Sequence, residues 1–218
     1  MITAAVKKNP KTVLGLATGS TPVMMYNEMA KAVKAKKVSY KEVKSWNLDE
    51  YVGLAPTHDQ SYRYFMNDNL FNHVNMDKAN TNVPNGKAED LEAECARYDA
   101  LIEELGGMDI QLLGIGHNGH IGFNEPCDEF VKGTHLVDLG ERTIQANARF
   151  FASIDEVPRQ AVTMGIKTIM SAKKVLLIAN GQDKKEIVEK AFYGPVTPNV
   201  PASILQLHPD VTVIYCFD

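Results

Sequence analysis

The stretch from Leu112 to Pro126, Leu-Leu-Gly-Ile-Gly-His-Asn-Gly-His-Ile-Gly-Phe-Asn-Glu-Pro, constrains this chain more than any other. An apolar run stops in four glycines threaded with two histidines, two asparagines and one glutamate. A buried strand accounts for the apolar part, and glycines let the backbone turn tightly and come close to a ligand. The polar side chains between them would then converge on that ligand. Gly114-x-Gly116-x-x-Gly119 has the spacing of a dinucleotide-binding turn, with Asp138 near the expected distance downstream. Such a turn opens a helix directly after its last glycine, whereas here Gly122 and Pro126 stand where that helix would run. The dinucleotide reading is therefore set aside. A metal site made of His117, His120 and Glu125 lacks the helical His-Glu-x-x-His spacing and has no cysteine to help, so no metal is expected.

The rest of the chain alternates apolar strands with amphipathic helices. Residues 12–17, 43–48, 109–115, 175–179 and 211–216 read as strands, with shorter ones at 80–83 and 134–139. Residues 161–166 read as a strand or turn leading into a short helix. Residues 2–8 form the tail of a helix ended by Asn9-Pro10, because proline disfavours helical geometry in the residue before it. Thr21 is placed to cap a second helix with Pro22 at its first position. Further helices are expected over 60–71, 88–105, 141–151, 186–192 and 201–207. In the third of these seven, Tyr62, Phe65, Met66, Leu70 and Phe71 form a stripe expected to face the core. Strands apolar throughout, alternating with helices, predict a mostly parallel sheet covered on both faces.

Composition narrows the function. At 218 residues the chain suits one α/β domain over 1–218, and no linker divides it. A net charge of -4, with lysines spread along helices, excludes a nucleic-acid footprint. No apolar run is long enough to span a bilayer. Cys95, Cys127 and Cys216 are widely separated and form no Cys-x-x-Cys pair, which with the short apolar start at Met1 points to the cytoplasm. A small metabolite is the expected partner.

The chemistry-bearing groups fit an anionic, proton-exchanging substrate. Thr18-Gly19-Ser20-Thr21 lies between a strand and a helix, where backbone N–H groups and the helix dipole can hold an anion. Local sequence leaves an ordinary capped turn as an equal alternative. Asp49-Glu50 falls at a strand end, where open parallel sheets bind ligands, although such a pair is more often a solvated turn. His120 can exchange a proton near neutral pH and Glu125 can hold its ring. A phosphorylated sugar would use the Thr18–Thr21 loop, Arg149 and Lys184 for its phosphate, an acid for a carbon-bound proton and a histidine for a ring oxygen.

Three segments, Leu16-Ala-Thr-Gly-Ser-Thr-Pro22, Trp46-Asn-Leu-Asp-Glu-Tyr-Val-Gly-Leu54 and Gly114 to Pro126, together resemble the glucosamine-6-phosphate deaminase family. Ala146-Asn-Ala-Arg-Phe-Phe151 and Leu205-Gln-Leu-His208 extend the resemblance over nearly the whole chain. It implies a Rossmann-like three-layer α/β fold and conversion of glucosamine 6-phosphate and water into fructose 6-phosphate and ammonia, with no metal or organic cofactor. It also implies roles. Asp49 would move the C2 proton to C1, and His120 would open the ring with help from Glu125 and Asn118. Thr18, Gly19, Ser20, Thr21, Arg149 and Lys184 would bind the phosphate. Asn118 stands where some relatives carry aspartate, so the histidine is expected to have a neutral partner and a less stabilised imidazolium.

The sequence departs from that family at both ends, beginning inside the first helix, without the family's first strand, and stopping after its last strand. Where allosteric hexameric members carry basic residues for N-acetylglucosamine 6-phosphate, this chain has His135 and Val137. No such activation is expected, and an assembly smaller than a hexamer, down to a monomer. The rival enzymes are a galactosamine-6-phosphate deaminase and a 6-phosphogluconolactonase-like hydrolase. Lactone hydrolysis does not need a carboxylate at a carbon–proton step, which Asp49 supplies. A rival of another class is a sugar-phosphate sensor without turnover, which would ordinarily adjoin a DNA-binding segment.

Overall fold

The computed structural model describes residues 1–148 and 151–216. Helix α1 (Ile2–Lys8) leads into strand β1 (Val13–Leu16), helix α2 (Val23–Lys34) and strand β2 (Lys44–Asn47). A single residue, Leu48, separates β2 from β3 (Asp49–Tyr51). Helix α3 (Tyr62–Met66) runs on as a π-helical turn (Asn67–Phe71), and a short β4 (Thr81–Asn82) follows. Then come α4 (Leu91–Glu104), β5 (Ile110–Leu113), β6 (His135–Asp138), α5 (Glu141–Asn147), β7 (Gln160–Thr163) and α6 (Ile166–Met170). Strand β8 (Val175–Asn180), helix α7 (Lys185–Tyr193), a 3-10 helix (Pro201–Leu207) and β9 (Val211–Cys216) complete the chain.

Six strands form one sheet in the order β4-β2-β1-β5-β8-β9, and every pairing in it is parallel. Strands β1 and β5 are buried at every residue, as they must be when both faces of a parallel sheet are covered. The chain winds outward from β1 to β2 and β4, then returns to β5 and winds the other way through β8 to β9. With the right-handed crossovers that parallel strands take, windings in opposite directions put helices on opposite faces of the sheet. The change of direction between β1 and β5 makes a crevice at the carboxyl ends of those strands, the place where open α/β sheets bind ligands.

A second sheet was not foreseen from the sequence. Strands β3, β7 and β6 pair antiparallel, with Asp49 opposite Thr163 and Tyr51 opposite Ala161. Asp49 therefore begins a strand of its own just past the bend at Leu48, instead of standing in a turn. The two sheets have separate apolar cores, a large one around Leu14, Leu16, Tyr98 and Leu112 and a smaller one of Tyr51, Phe123, Leu139, Ile144, Val157 and Ala161. Among the described residues no helix is long and apolar enough to cross a membrane.

One local expectation needs correction. Helix α2 begins at Val23 with Pro22 as its N-cap residue, and Thr21 does not cap it; the Thr21 hydroxyl donates instead to Oδ1 of Asn180, 3.1 Å away. Tyr62 and Phe65 pack against the two cores, as expected, and also line the large cavity described below. Helix α4, within the 88–105 segment expected to be helical, starts at Leu91 behind an Asp90 cap and buries Cys95, Tyr98 and Ile102 at helical spacing.

Tyr98 steadies the bend. Its buried hydroxyl donates to the carbonyl of Asn47 at 2.8 Å, the last residue of β2, and lies 3.2 Å from the carbonyl of Asn82. Leaving a buried carbonyl without its donor costs about 1–3 kcal/mol. Tyr98→Phe is therefore expected to lower unfolding free energy by about that amount, read as a shift in urea midpoint at unchanged slope. A loss under a few tenths of a kcal/mol would show that this bond does not hold the bend.

Candidate active site

Loops at the ends of β1, β2, β5 and β8 enclose a cavity of about 980 Å³, ample for a phosphorylated hexose. Thr18, Gly19, Ser20 and Thr21 line one end together with Lys184, which lies on the 3-10 turn before α7. Asp49, His120 and Glu125 line the same cavity, as does Asn118. Nine of the ten residues singled out in the sequence are thus brought to one cavity. The tenth, Arg149, lies outside the described residues.

The loop after β5 works as its glycines suggest. A Cβ on Gly116 would stand 2.3 Å from the His120 ring, so the imidazole occupies space that only glycine leaves open. Gly122 has φ of +60°, and a Cβ there would lie 3.0 Å from the Thr163 hydroxyl and 3.5 Å from the Asp49 carboxylate. This turn brings the β5 loop against the antiparallel sheet. Asn124 locks it there, donating to the carbonyls of Ile121 at 2.9 Å and Met164 at 2.8 Å. Its part in the opening motif is structural.

His120 and Glu125 stand together at one side. Nδ1 of His120 lies 3.1 Å from Oε1 of Glu125, within ion-pair reach though without hydrogen-bond alignment. Asn118 joins this pair. Its amide donates to Oε2 of Glu125, and its Oδ1 accepts from the His120 backbone N–H at 3.2 Å. The carboxylate beside the His120 ring is thus itself held by Asn118. Burial works against ionising Glu125, yet His120, Asn118 and the Thr143 hydroxyl together hold its carboxyl below the usual range.

Asp49 is the opposite case. Its side chain is buried, with 6% of the residue exposed, and desolvation, followed by the charge of Glu50, pushes its carboxyl up to about 8 from the ordinary 3.8. Tyr51, Tyr62 and Phe123 build an aromatic wall on this side, with the Tyr51 and Tyr62 ring centroids 4.7 Å apart and Tyr62 stacked on Phe123 at 6.1 Å. Glu50 fixes that wall. Its carboxylate accepts from the backbone N–H groups of Tyr51, Tyr62 and Arg63 at 2.8–2.9 Å, fastening the first turn of α3 to β3.

Glu50, Tyr51, Tyr62, Phe123 and Thr143 were not singled out as site residues from sequence. Glu50 and Tyr51 adjoin Asp49, a usable signal. Tyr62 read as a core aromatic and Phe123 only as part of the glycine-rich stretch, and nothing in the sequence pairs them across 61 residues. One cavity is thus lined by a buried carboxyl with a raised pKa, by an imidazole beside a second carboxyl with a lowered one, and by the Thr18–Thr21 loop. Among the described residues no three His, Cys, Asp or Glu side chains gather in a metal-binding group.

A family model described as glucosamine-6-phosphate isomerases/6-phosphogluconolactonases matches residues 1–214. A glucosamine-6-phosphate deaminase of Lachnoclostridium phytofermentans is 65% identical over 218 residues, spanning 100% of this chain and 92% of that protein. One from Clostridium perfringens is 58% identical over 209 residues, 96% of this chain and 86% of its own. Among solved structures, a monomeric glucosamine-6-phosphate deaminase superposes with a TM-score of 0.95 at 48% identity, over 99% of this chain and 89% of that one. A 6-phosphogluconolactonase of Thermotoga maritima has a TM-score of 0.76 at 18% identity, over 100% of this chain and 90% of its own, and shares the fold alone.

The raised Asp49 carboxyl has a consequence for stability. Below pH 3.8 the group is protonated both folded and unfolded; as pH rises the unfolded chain loses the proton first, so stability falls until the folded group ionises near 8. Asp49→Asn, which carries no charge to bury, is expected to match wild type near pH 4 and to exceed it by about 2–5 kcal/mol above pH 8. Chemical denaturation of both proteins across that range checks this, and parallel curves would refute it.

Proposed function

The chain belongs to the family of glucosamine-6-phosphate isomerases and 6-phosphogluconolactonases, and from that membership we propose that it is a glucosamine-6-phosphate deaminase, converting glucosamine 6-phosphate and water into fructose 6-phosphate and ammonia. Identity of 65% to a deaminase over the whole chain supports the reaction. The observation that carries the mechanism is the buried, proton-retaining Asp49 facing the same cavity as the His120–Glu125 pair. The whole of residues 1–218 acts as one sugar-phosphate domain in this reading.

The chemistry assigns each group a task. The closed sugar must lose a proton from the hydroxyl on C1 and gain one on the ring oxygen. His120 carries that proton, and the ionised Glu125 stabilises the imidazolium formed on the way. Asn118 keeps Glu125 in place. In the open-chain aldehyde Asp49 takes the proton from C2 and delivers it to C1, while the C1 oxygen gains a proton to become a hydroxyl and the ammonium gives one up, leaving a protonated carbon–nitrogen double bond at C2. Water adds there and ammonia departs, giving the ketose. A carboxylate made more basic by burial is a stronger proton acceptor than one in water, and the substrate's ammonium on C2 favours its ionised form on arrival.

The phosphate takes the other end. Backbone N–H groups of Thr18–Thr21 at the start of the twelve-residue α2 and the Lys184 ammonium form its cradle, with Arg149 the further cation assigned there. One structural relative is described as monomeric, and the same assembly, without activation by N-acetylglucosamine 6-phosphate, is assigned to this chain.

Ammonia release from glucosamine 6-phosphate, run beside galactosamine 6-phosphate and 6-phosphogluconolactone, tests the reaction. Release from the first substrate is expected; binding without release would point to a sensor, and turnover of the lactone alone to a lactonase. Asp49→Asn should lower kcat about 10²–10⁴-fold and stop solvent hydrogen exchange at C2 while substrate still binds. Exchange at the wild-type rate would remove Asp49 from this role. His120→Gln should harm turnover of the cyclic sugar far more than that of the open-chain form, and equal harm to both would contradict its assignment.

A further inference from the structure

One side-chain pair on the cavity rim has no part in the chemistry above. His117, in the loop after β5, directs Nε2 at the carboxylate of Asp183 and Nδ1 at the Lys184 ammonium, 3.3 Å away. An ammonium can only donate a hydrogen bond and a carboxylate can only accept one. The His117 ring therefore bridges the two groups, one ring nitrogen to each. The same ammonium donates to the carbonyl of Ile115 at 2.9 Å. Lys184 is thus held from two points of the β5 loop, and both it and His117 face the cavity. Asp183 is exposed, and its hydrogen bond to His117 is the main influence holding its carboxyl below the usual range.

We propose that His117, oriented by Asp183, is a positioning residue for phosphate recognition: it aims the Lys184 ammonium at the anion held by the Thr18–Thr21 loop. The proposal rests on the reading of the substrate as a sugar phosphate. A lysine side chain is a point charge on a long flexible stem, and ordering it costs conformational entropy when the ligand arrives. Holding it beforehand removes that cost from binding. An imidazole suits the task, because its two ring nitrogens can meet the carboxylate and the ammonium at once. The link also joins the β5 loop to the β8 end, which Thr21 and Asn180 join to the β1 loop, so the phosphate end is braced across three strand ends.

The competing explanation is a latch that only steadies two loops. To separate them, His117→Ala, Asp183→Ala and the double variant are compared with wild type for KM and kcat on glucosamine 6-phosphate, competitive inhibition by inorganic phosphate, and Tm. Because the pair is solvent-exposed, each single variant is expected to raise KM and the phosphate inhibition constant together by about three- to tenfold, with kcat within about twofold. The double variant should be no worse than the more impaired single one, since the two residues act as a unit. Unchanged phosphate inhibition in His117→Ala overturns the proposal, as does a fall in Tm with KM unmoved. A wild-type protein that binds inorganic phosphate but releases no ammonia would defeat the deaminase reading, while the change in phosphate affinity, read by direct titration, still decides this one.

Discussion

The burial of the Asp49 carboxylate at the bend between two sheets is the constraint on which the rest of this structure depends. The chain leaves the parallel sheet at Asn47, turns at Leu48 and enters the antiparallel sheet at Asp49. An acid placed there gives up much of its hydration, and Glu50 beside it opposes its ionisation further. Such a group is costly to the fold and persists only where the surroundings are closed tightly around it. The surroundings here are specific. Thr163 pairs across from Asp49, the Gly122 turn presses the β5 loop toward both, and Glu50 ties α3 down so that Tyr62 completes an aromatic wall.

The two carboxylates of the site are pushed in opposite directions by their environments. Asp49, in apolar surroundings, holds its proton, whereas Glu125, contacted by His120, Asn118 and Thr143, gives its proton up readily. Groups driven apart in this way can carry complementary acid and base steps at one pH. The separation follows from topology, since Asp49 comes from the β2–β3 bend and Glu125 from the long loop after β5. A crevice at the switch in strand order brings them to a single cavity without any contact between their segments in sequence.

The parallel sheet was legible in the chain because β1, β5 and β8 are mostly apolar and each leads into glycine or polar loop residues. The glycines of the β5 loop likewise announced a close approach, and Gly116 against the His120 ring is that approach. The antiparallel sheet was legible only in pieces: β6 falls within a segment read as a strand and β7 overlaps one read as a strand or turn, but β3, three residues long and two of them acidic, carries no apolar signature, and nothing in the sequence pairs the three. The partner of β3 is β7, more than a hundred residues away. Asn118 shows a different limit: its type and position marked it as a site residue, but only coordinates show that it holds Glu125. Tyr62 sits on a helical stripe whose period is correct, but the stripe does not tell that this side chain, packed against the smaller core, also lines a cavity.

The central claim is that folding alone, before any substrate binds, makes Asp49 a carboxyl group that keeps its proton at neutral pH. A ¹³C titration of the aspartate side-chain carboxyl groups in the substrate-free protein, with the Asp49 resonance assigned by comparison with Asp49→Asn, measures this directly. The account predicts a midpoint of about 8 for that resonance. A midpoint near the ordinary 3.8 would contradict it, and with it the origin of the site's basicity in the bend between the two sheets.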